Sequence, residues 1–382
     1  MAPGEQAPLV SEAVEPNKTR RSALGLRALD SERACAGYTL FAPTTAGRTV
    51  YLIDLNGNVV HTWEAPHPPG MYGYLSDRGT LVYNGRTLEA NNDFIGQSPW
   101  KGGALVAMDW NGEVLWEVRH PDHHHDGRLL RNGNVALLCM RAIPRSLASR
   151  VRGGLFGTEH KGEMYADYVV ELTTAGDVVW EWLSWEHLDP ETDHIDYAAE
   201  HRSEWTHGNT IAELSSGDLV VSFRNISTVA IIDRRNGQIS WKVGPPLLAQ
   251  QHAPVELQSG NLLIFDNGTH RSNHPVPFSR VIELDRANKQ IVWSYQERRV
   301  IDFFSPYISN AERLPNGNTL VCEGNFGRLF EVTAEGELVW EFVNPYFGQG
   351  LGNLSGLPPT NAVFRTFRYS EDLIRRSKER HR

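Results

Sequence analysis

Cysteine is scarce in this chain. Only Cys35, Cys139 and Cys322 occur in 382 residues. That odd count, without CxxC spacing, argues against a disulfide framework. Two of the three sit in apolar, strand-like runs, where a thiol behaves as a small buried hydrophobe. No apolar run reaches 18 residues, which excludes a membrane-spanning helix. The first 35 residues contain no apolar stretch either, so no secretory leader is expected and the cytoplasm is the expected compartment. Positive charge is in deficit: 37 Lys and Arg stand against 46 Asp and Glu, a formal net charge of −9. Nucleic acid is therefore not the expected partner. No GxGxxG, P-loop or GxSxG pattern stands in a supporting context. Nothing in the composition bears on oligomeric state.

What the chain does contain is repetition. A β-rich run, a polar turn and a second run ending in tryptophan recur as YLIDLNGNVVHTW, VAMDWNGEVLW, VELTTAGDVVW, IIDRRNGQISW, IELDRANKQIVW and FEVTAEGELVW. The closing residues are Trp63, Trp116, Trp180, Trp241, Trp293 and Trp340, spaced by 53, 64, 61, 52 and 47 residues. An all-strand repeat at this period predicts a β-propeller, with the tryptophans packing between blades. A second hairpin class, roughly LxxGxL, falls between them at 75–81, 129–135, 214–219, 257–262 and 314–320. Two hairpins make a four-stranded blade, so the fold class is all-β, a six-bladed β-propeller. The sixth blade lacks a second hairpin of its own. Residues 361–369 (NAVFRTFRY) are expected to pair with a strand near 38–41 and close the ring. Residues 1–36 read as a disordered tail, 37–369 as the propeller, and 370–382 as a charged helix or tail.

Polar residues at the ends of the LxxGxL hairpins mark the candidate site. A hairpin returns the chain to the rim it left. His207 and Arg224 therefore meet at one edge, and His125 with Arg141, His252 with Asp266 and Asn267, and Asn310 with Glu323 repeat the arrangement. If these hairpins form the inner half of each blade, His125, His207 and His252 converge at the axis, with Asn209 at the equivalent inward position. Two chemistries suit the cluster. The three histidines could ligate one divalent metal ion, with Asp126, Asp266 or Glu323 nearby. Or they join Arg224 and Arg141 in a cationic pocket for a small aromatic or anionic substrate, one imidazole acting as nucleophile or proton carrier. Guanidinium groups in so small a space favour the second. The HPDHHHD run at 120–126 can turn only one or two of its histidines inward, and most of it is expected to be loop. Two insertions, 141–165 and 184–205, leave the same rim and could cover it.

From residue 37 to 369, through GYTLFAP, HHDGRLLRNGN, HGNTIAEL…SFR, QHAPVELQSGNLLIFDNG and NAVFRTFRY, the chain resembles the bacterial arylsulfotransferases. These enzymes are six-bladed propellers independent of 3′-phosphoadenylyl sulfate. The resemblance implies sulfuryl transfer from an aryl sulfate to a phenol without a cofactor. It makes His252 the nucleophile, with His125, His207 and Arg224 holding the sulfuryl oxygens. Arg141, Asn209, Asp266, Asn267 and Glu323 are expected on the same rim, against the substrate.

Overall fold

The computed structural model describes residues 23–271, 273–349 and 358–380. Its strands form six antiparallel sheets in a ring. Blades two to five are each contiguous in sequence. Their innermost strands are Pro69–Leu75, His123–Leu129, Gly208–Glu213 and His252–Glu256, and the sixth blade begins at Asn310–Arg313. Each inner strand touches the next around the axis. The first blade takes its inner strand from the other end of the chain. Val363–Tyr369 pairs with Tyr38–Pro43, with Tyr38 opposite Tyr369 and Leu40 opposite Phe367, so 361–369 closes the ring as expected, but it completes the first blade: the sixth has a second hairpin of its own, Asn310–Arg313 with Thr319–Glu323. Closure removes the free sheet edges that an open array would expose.

A second strap was not expected. Gly25–Leu29, inside the segment 1–36 read as a tail, forms a fifth strand on the outer edge of the sixth blade, opposite Leu338–Val343. Its half-buried side chains carry too little periodicity over five residues to announce a strand. The 370–382 end contains the helix Glu371–Glu379, capped by Ser370. Ile374 and Ser377 are buried beneath it, and the Ser377 hydroxyl donates to the Gly79 carbonyl at 2.6 Å.

The tryptophans pack between blades, with one correction. Trp116, Trp180, Trp241, Trp293 and Trp340 share a register position just before a bulge in the outer hairpin. Trp63 lies two residues further on, and His61 takes the shared position. The shift keeps the same face of the strand. His61 bonds the Trp110 carbonyl at 2.8 Å, just as Trp241, Trp293 and Trp340 donate to the turn of the following blade. In the third blade Trp182 makes that bond, to Gly237. An aromatic donor in this layer ties blade to blade while burying its ring. All three cysteines are free and buried.

Candidate active site

The ring leaves a cavity of about 660 Å³ on the axis. Every blade contributes a residue within three positions of the start of its inner strand: Met71, His125, His207, His252, Ile308 and Ala362. Four of the six have φ between +48° and +143° although none is glycine: Met71, His125, His207 and Ile308. The inner strands bearing Met71, His125, His207 and His252 also carry register shifts at this end. Bulges and left-handed residues re-aim side chains at the expense of strain, and such strain collects at working sites.

His207 and Arg224 meet as the hairpin geometry requires, the Arg224 amide donating to the His207 carbonyl at 3.0 Å. The three histidines and Arg224 thus all line one cavity. The rings of His125 and His207 lie 4.8 Å apart. Trp100 packs against both, at 5.8 and 4.8 Å. Nonetheless, among the described residues no three His, Cys, Asp or Glu side chains converge as metal ligands would.

His252 is fully buried and its protonation is legible from its neighbours. Its Nδ1 lies 2.8 Å from Asn267 Oδ1. The Asn267 amide nitrogen donates to the Ser305 and Ile308 carbonyls at 2.8 and 3.0 Å, so its oxygen must face the ring. Nδ1 therefore carries the proton and Nε2 keeps a lone pair, which accepts the Ile308 N–H at 3.2 Å. Burial, joined by the charges of Arg224, His207 and Arg365, outweighs the Asn267 bond and holds the imidazole well below its ordinary pKa. It is a neutral imidazole at physiological pH.

The other two histidines have different partners. His207 Nδ1 lies 2.9 Å from the buried carboxylate of Glu204. His125 is buried too, and burial first, then His207, His124, His252 and Arg365, keeps it uncharged. Arg224 is fixed by Glu200 at 2.7 Å and by Gln250 at 3.2 Å. Burial works to raise the Glu200 carboxyl, but Arg224, His207 and Gln250 prevail and keep it low.

The residues expected beside substrate on the rim divide. Asn267 sits behind His252 as its support. Asn209 is buried and donates to the Gln251 carbonyl at 2.9 Å. Asp266 is locked between Arg271 and Arg280 at 2.7 and 2.8 Å. Glu323 pairs with Arg328 at 3.2 Å. Arg141 pairs with Glu181 and lies over the Tyr168 ring. None of these five lines the cavity. Hairpin return places a residue at a rim, but ionic partners on adjacent strands decide which way its side chain leaves.

Several wall residues escaped sequence reasoning because loops deliver them. Phe94, Pro99 and Trp100 come from the connection between the second and third strands of the second blade, and the Trp100 carbonyl accepts the His125 amide at 3.1 Å. Glu200, His201, Ser203 and Glu204 come from the second insertion. The first insertion supplies no wall residue. It props the second: Gly153, Leu155 and Tyr165 bridge Ile195, His201 and Glu204. Arg202 also reaches back to Glu159 and to the Val151 and Gly153 carbonyls, at 2.7 to 2.9 Å. Beneath the cavity, Arg365 binds Asp126, the Tyr72 hydroxyl and Thr210, at 2.8 to 2.9 Å. Asp126 is thus a structural ion-pair partner. Arg365 stands in the NAVFRTFRY stretch, whose inward alternation was the only hint of it.

Fold and site together define a six-bladed propeller whose axial cavity is walled by three histidines and an arginine. A profile of the arylsulfotransferase (ASST) family matches residues 91–345, and the chain belongs to that family. It is 24% identical over 355 residues to the arylsulfate sulfotransferase AssT of Escherichia coli O6:H1. That match covers 69% of this chain and 57% of AssT, so the chain spans little more than half of that relative. A crystallised Bacteroides caccae protein of unknown function shares the fold at 13% identity, with a TM-score of 0.53 over 87% of this chain and 98% of that one. Among the described residues no helix is long and apolar enough to cross a membrane.

Proposed function

We propose that the protein transfers a sulfuryl group from an aryl sulfate to a phenol, with His252 as the nucleophile. The observation that carries this reading is the state of His252: uncharged, proton held on Nδ1 by Asn267, lone pair on Nε2 at the cavity wall. In the first step Nε2 gives up the Ile308 N–H and attacks sulfur, the bond from sulfur to the aryl oxygen breaks, and phenolate leaves with the electron pair. In the second, the oxygen of another phenol attacks the sulfuryl-imidazole and loses its proton, and the S–N bond returns its pair to His252. Splitting the transfer in two replaces one difficult displacement by two easier ones. Arg224 and His207 supply fixed donors for the oxygens where charge develops. Trp100, Phe94 and Tyr307 offer aromatic surface for a small aryl group.

The test is release of a chromogenic phenol from its sulfate ester, with a second phenol as acceptor and a chelator present. His252→Ala should lower turnover by at least roughly 10⁴-fold, as loss of a nucleophile does elsewhere. Trapped enzyme should carry one sulfuryl adduct, on the His252 peptide. Full activity of His252→Ala would refute the nucleophile. Loss of wild-type activity to the chelator, restored by one divalent ion, would favour a metal centre instead.

A further inference from the structure

The HPDHHHD run holds more than loop. His123, His124 and His125 all lie in the inner strand His123–Leu129, and all three are buried. His124 faces away from the cavity, and its two ring nitrogens connect His125 to a carboxylate. Its Nδ1 lies 2.7 Å from His125 Nδ1. Its Nε2 lies 2.9 Å from Asp167 Oδ1. That contact is a close charge contact and not an aligned hydrogen bond, and among the described residues neither of those last two atoms has a hydrogen-bond partner. Asp167 is itself fixed. Its Oδ2 accepts the Thr206 hydroxyl and, at 2.6 Å, the Gly208 amide. A Cβ on Gly208 would stand 2.9 Å from the Asp167 carboxyl, so the carboxylate fits only against glycine.

Direction follows from donor counting. Asp167 takes two donors on one oxygen and is an acceptor. The carboxylate beside Nε2 favours the His124 proton on that nitrogen, so that its Nδ1 accepts. His125 must donate from Nδ1, which leaves a lone pair on the Nε2 turned to the cavity. A histidine oriented this way by a carboxylate-ended chain can take a proton and share the resulting charge with the buried anion.

We propose that Asp167 and His124 are positioning residues forming a buried relay that makes His125 the base for the acceptor phenol. This rests on the transferase reading above. In the second step the phenol O–H proton passes to His125 Nε2 while the phenol oxygen forms its bond to sulfur. The positive charge on His125 is balanced through His124 by Asp167.

Two variants test it, His124→Gln and Asp167→Asn, in the full chain. Nitrogen NMR of labelled wild type should show His125 protonated on Nδ1, and both variants should disturb that tautomer. With 4-nitrophenyl sulfate, the first burst of nitrophenol should be kept. Steady transfer to weakly acidic phenols should fall about 100-fold, the lower end of general base catalysis, and transfer to strongly acidic phenols much less. An equal loss for all acceptors, or wild-type His125 protonated on Nε2, would overturn the relay. If wild type releases no phenol from any aryl sulfate, the transferase reading fails, and the tautomer measurement still decides whether the relay exists. If Asp167→Asn does not fold, because it also holds Gly208 and Thr206, His124→Gln carries the test.

Discussion

His252 and His125 occupy matching places on the inner strands of two blades, both buried and both lining the same cavity. What stands behind them differs. His252 is backed by a neutral amide, which fixes its tautomer and gives no reason to hold a second proton. His125 is backed by another imidazole and, through it, a carboxylate. The first arrangement suits a nucleophile, whose lone pair holds only a long bond from the Ile308 N–H that substrate can displace, and the second suits a base. Two residues of one type on one repeat thus acquire different chemistry from partners that the repeat does not specify. His207, whose Nδ1 meets Glu204 directly, is a third variation.

The comparison can be broken most sharply at Asn267. Asn267→Asp would give His252 an anionic partner and favour its charged form, raising its pKa by about 1–3 units. A protonated imidazole cannot attack sulfur. Turnover should therefore acquire a pH dependence, falling as pH drops below 6 and recovering as pH rises, where wild type stays flat. A loss that does not depend on pH would mean that Asn267 serves only to hold the Ser305 and Ile308 carbonyls.

Glu204 sharpens the contrast with a smaller effect. The Glu204 carboxylate stands 2.9 Å from His207 Nδ1 as a charge contact, and a close charge pair is worth about 1.5 kcal/mol or more, which is roughly tenfold in rate. Glu204→Gln should cost that much in transfer from esters with poor leaving groups and little with 4-nitrophenyl sulfate. Leaving-group dependence measured across a phenol series decides it. An unchanged slope would remove His207 as a donor to the leaving oxygen.

A further expected effect is on stability. His123, His125 and His252 are all held well below their ordinary pKa by burial. The folded chain therefore binds fewer protons than the unfolded one once pH drops below the unfolded value of about 6.5. Stability is full above that point and falls as pH decreases, each histidine contributing about 1.4 kcal/mol per pH unit. Urea melts at pH 7, 6 and 5 should show the loss, and His252→Asn should shallow it by one histidine's share. A curve that is flat or rises toward pH 5 would contradict the buried neutral state.

Much of this was readable in advance, for local reasons. The turn-and-tryptophan repeat gives the blade count because strand alternation and hairpin return act over a dozen residues. The same rule brought His125, His207, Arg224 and His252 to one end of the axis. It failed for Arg141, Asp266 and Glu323, which share the rim but turn to Glu181, to Arg271 and Arg280, and to Arg328. It could not foresee Trp100 or Glu204, since a loop's reach depends on what it packs against. It also read HPDHHHD as loop, because one fully buried strand shows no alternation.

By itself, then, the sequence determined a closed ring of six hairpin pairs, joined by its own ends, with a histidine cluster at one mouth of the channel. Those features rest on periods and turns contained within single repeats. The tertiary structure alone decided the neutral state of His125 and His252, the pairing of Asp126 with Arg365, and the making of one wall by an insertion that another insertion props. These depend on contacts between residues such as Asp126 and Arg365, or Asp167 and Gly208, that only the packing of blade on blade and the closing of the ring bring together.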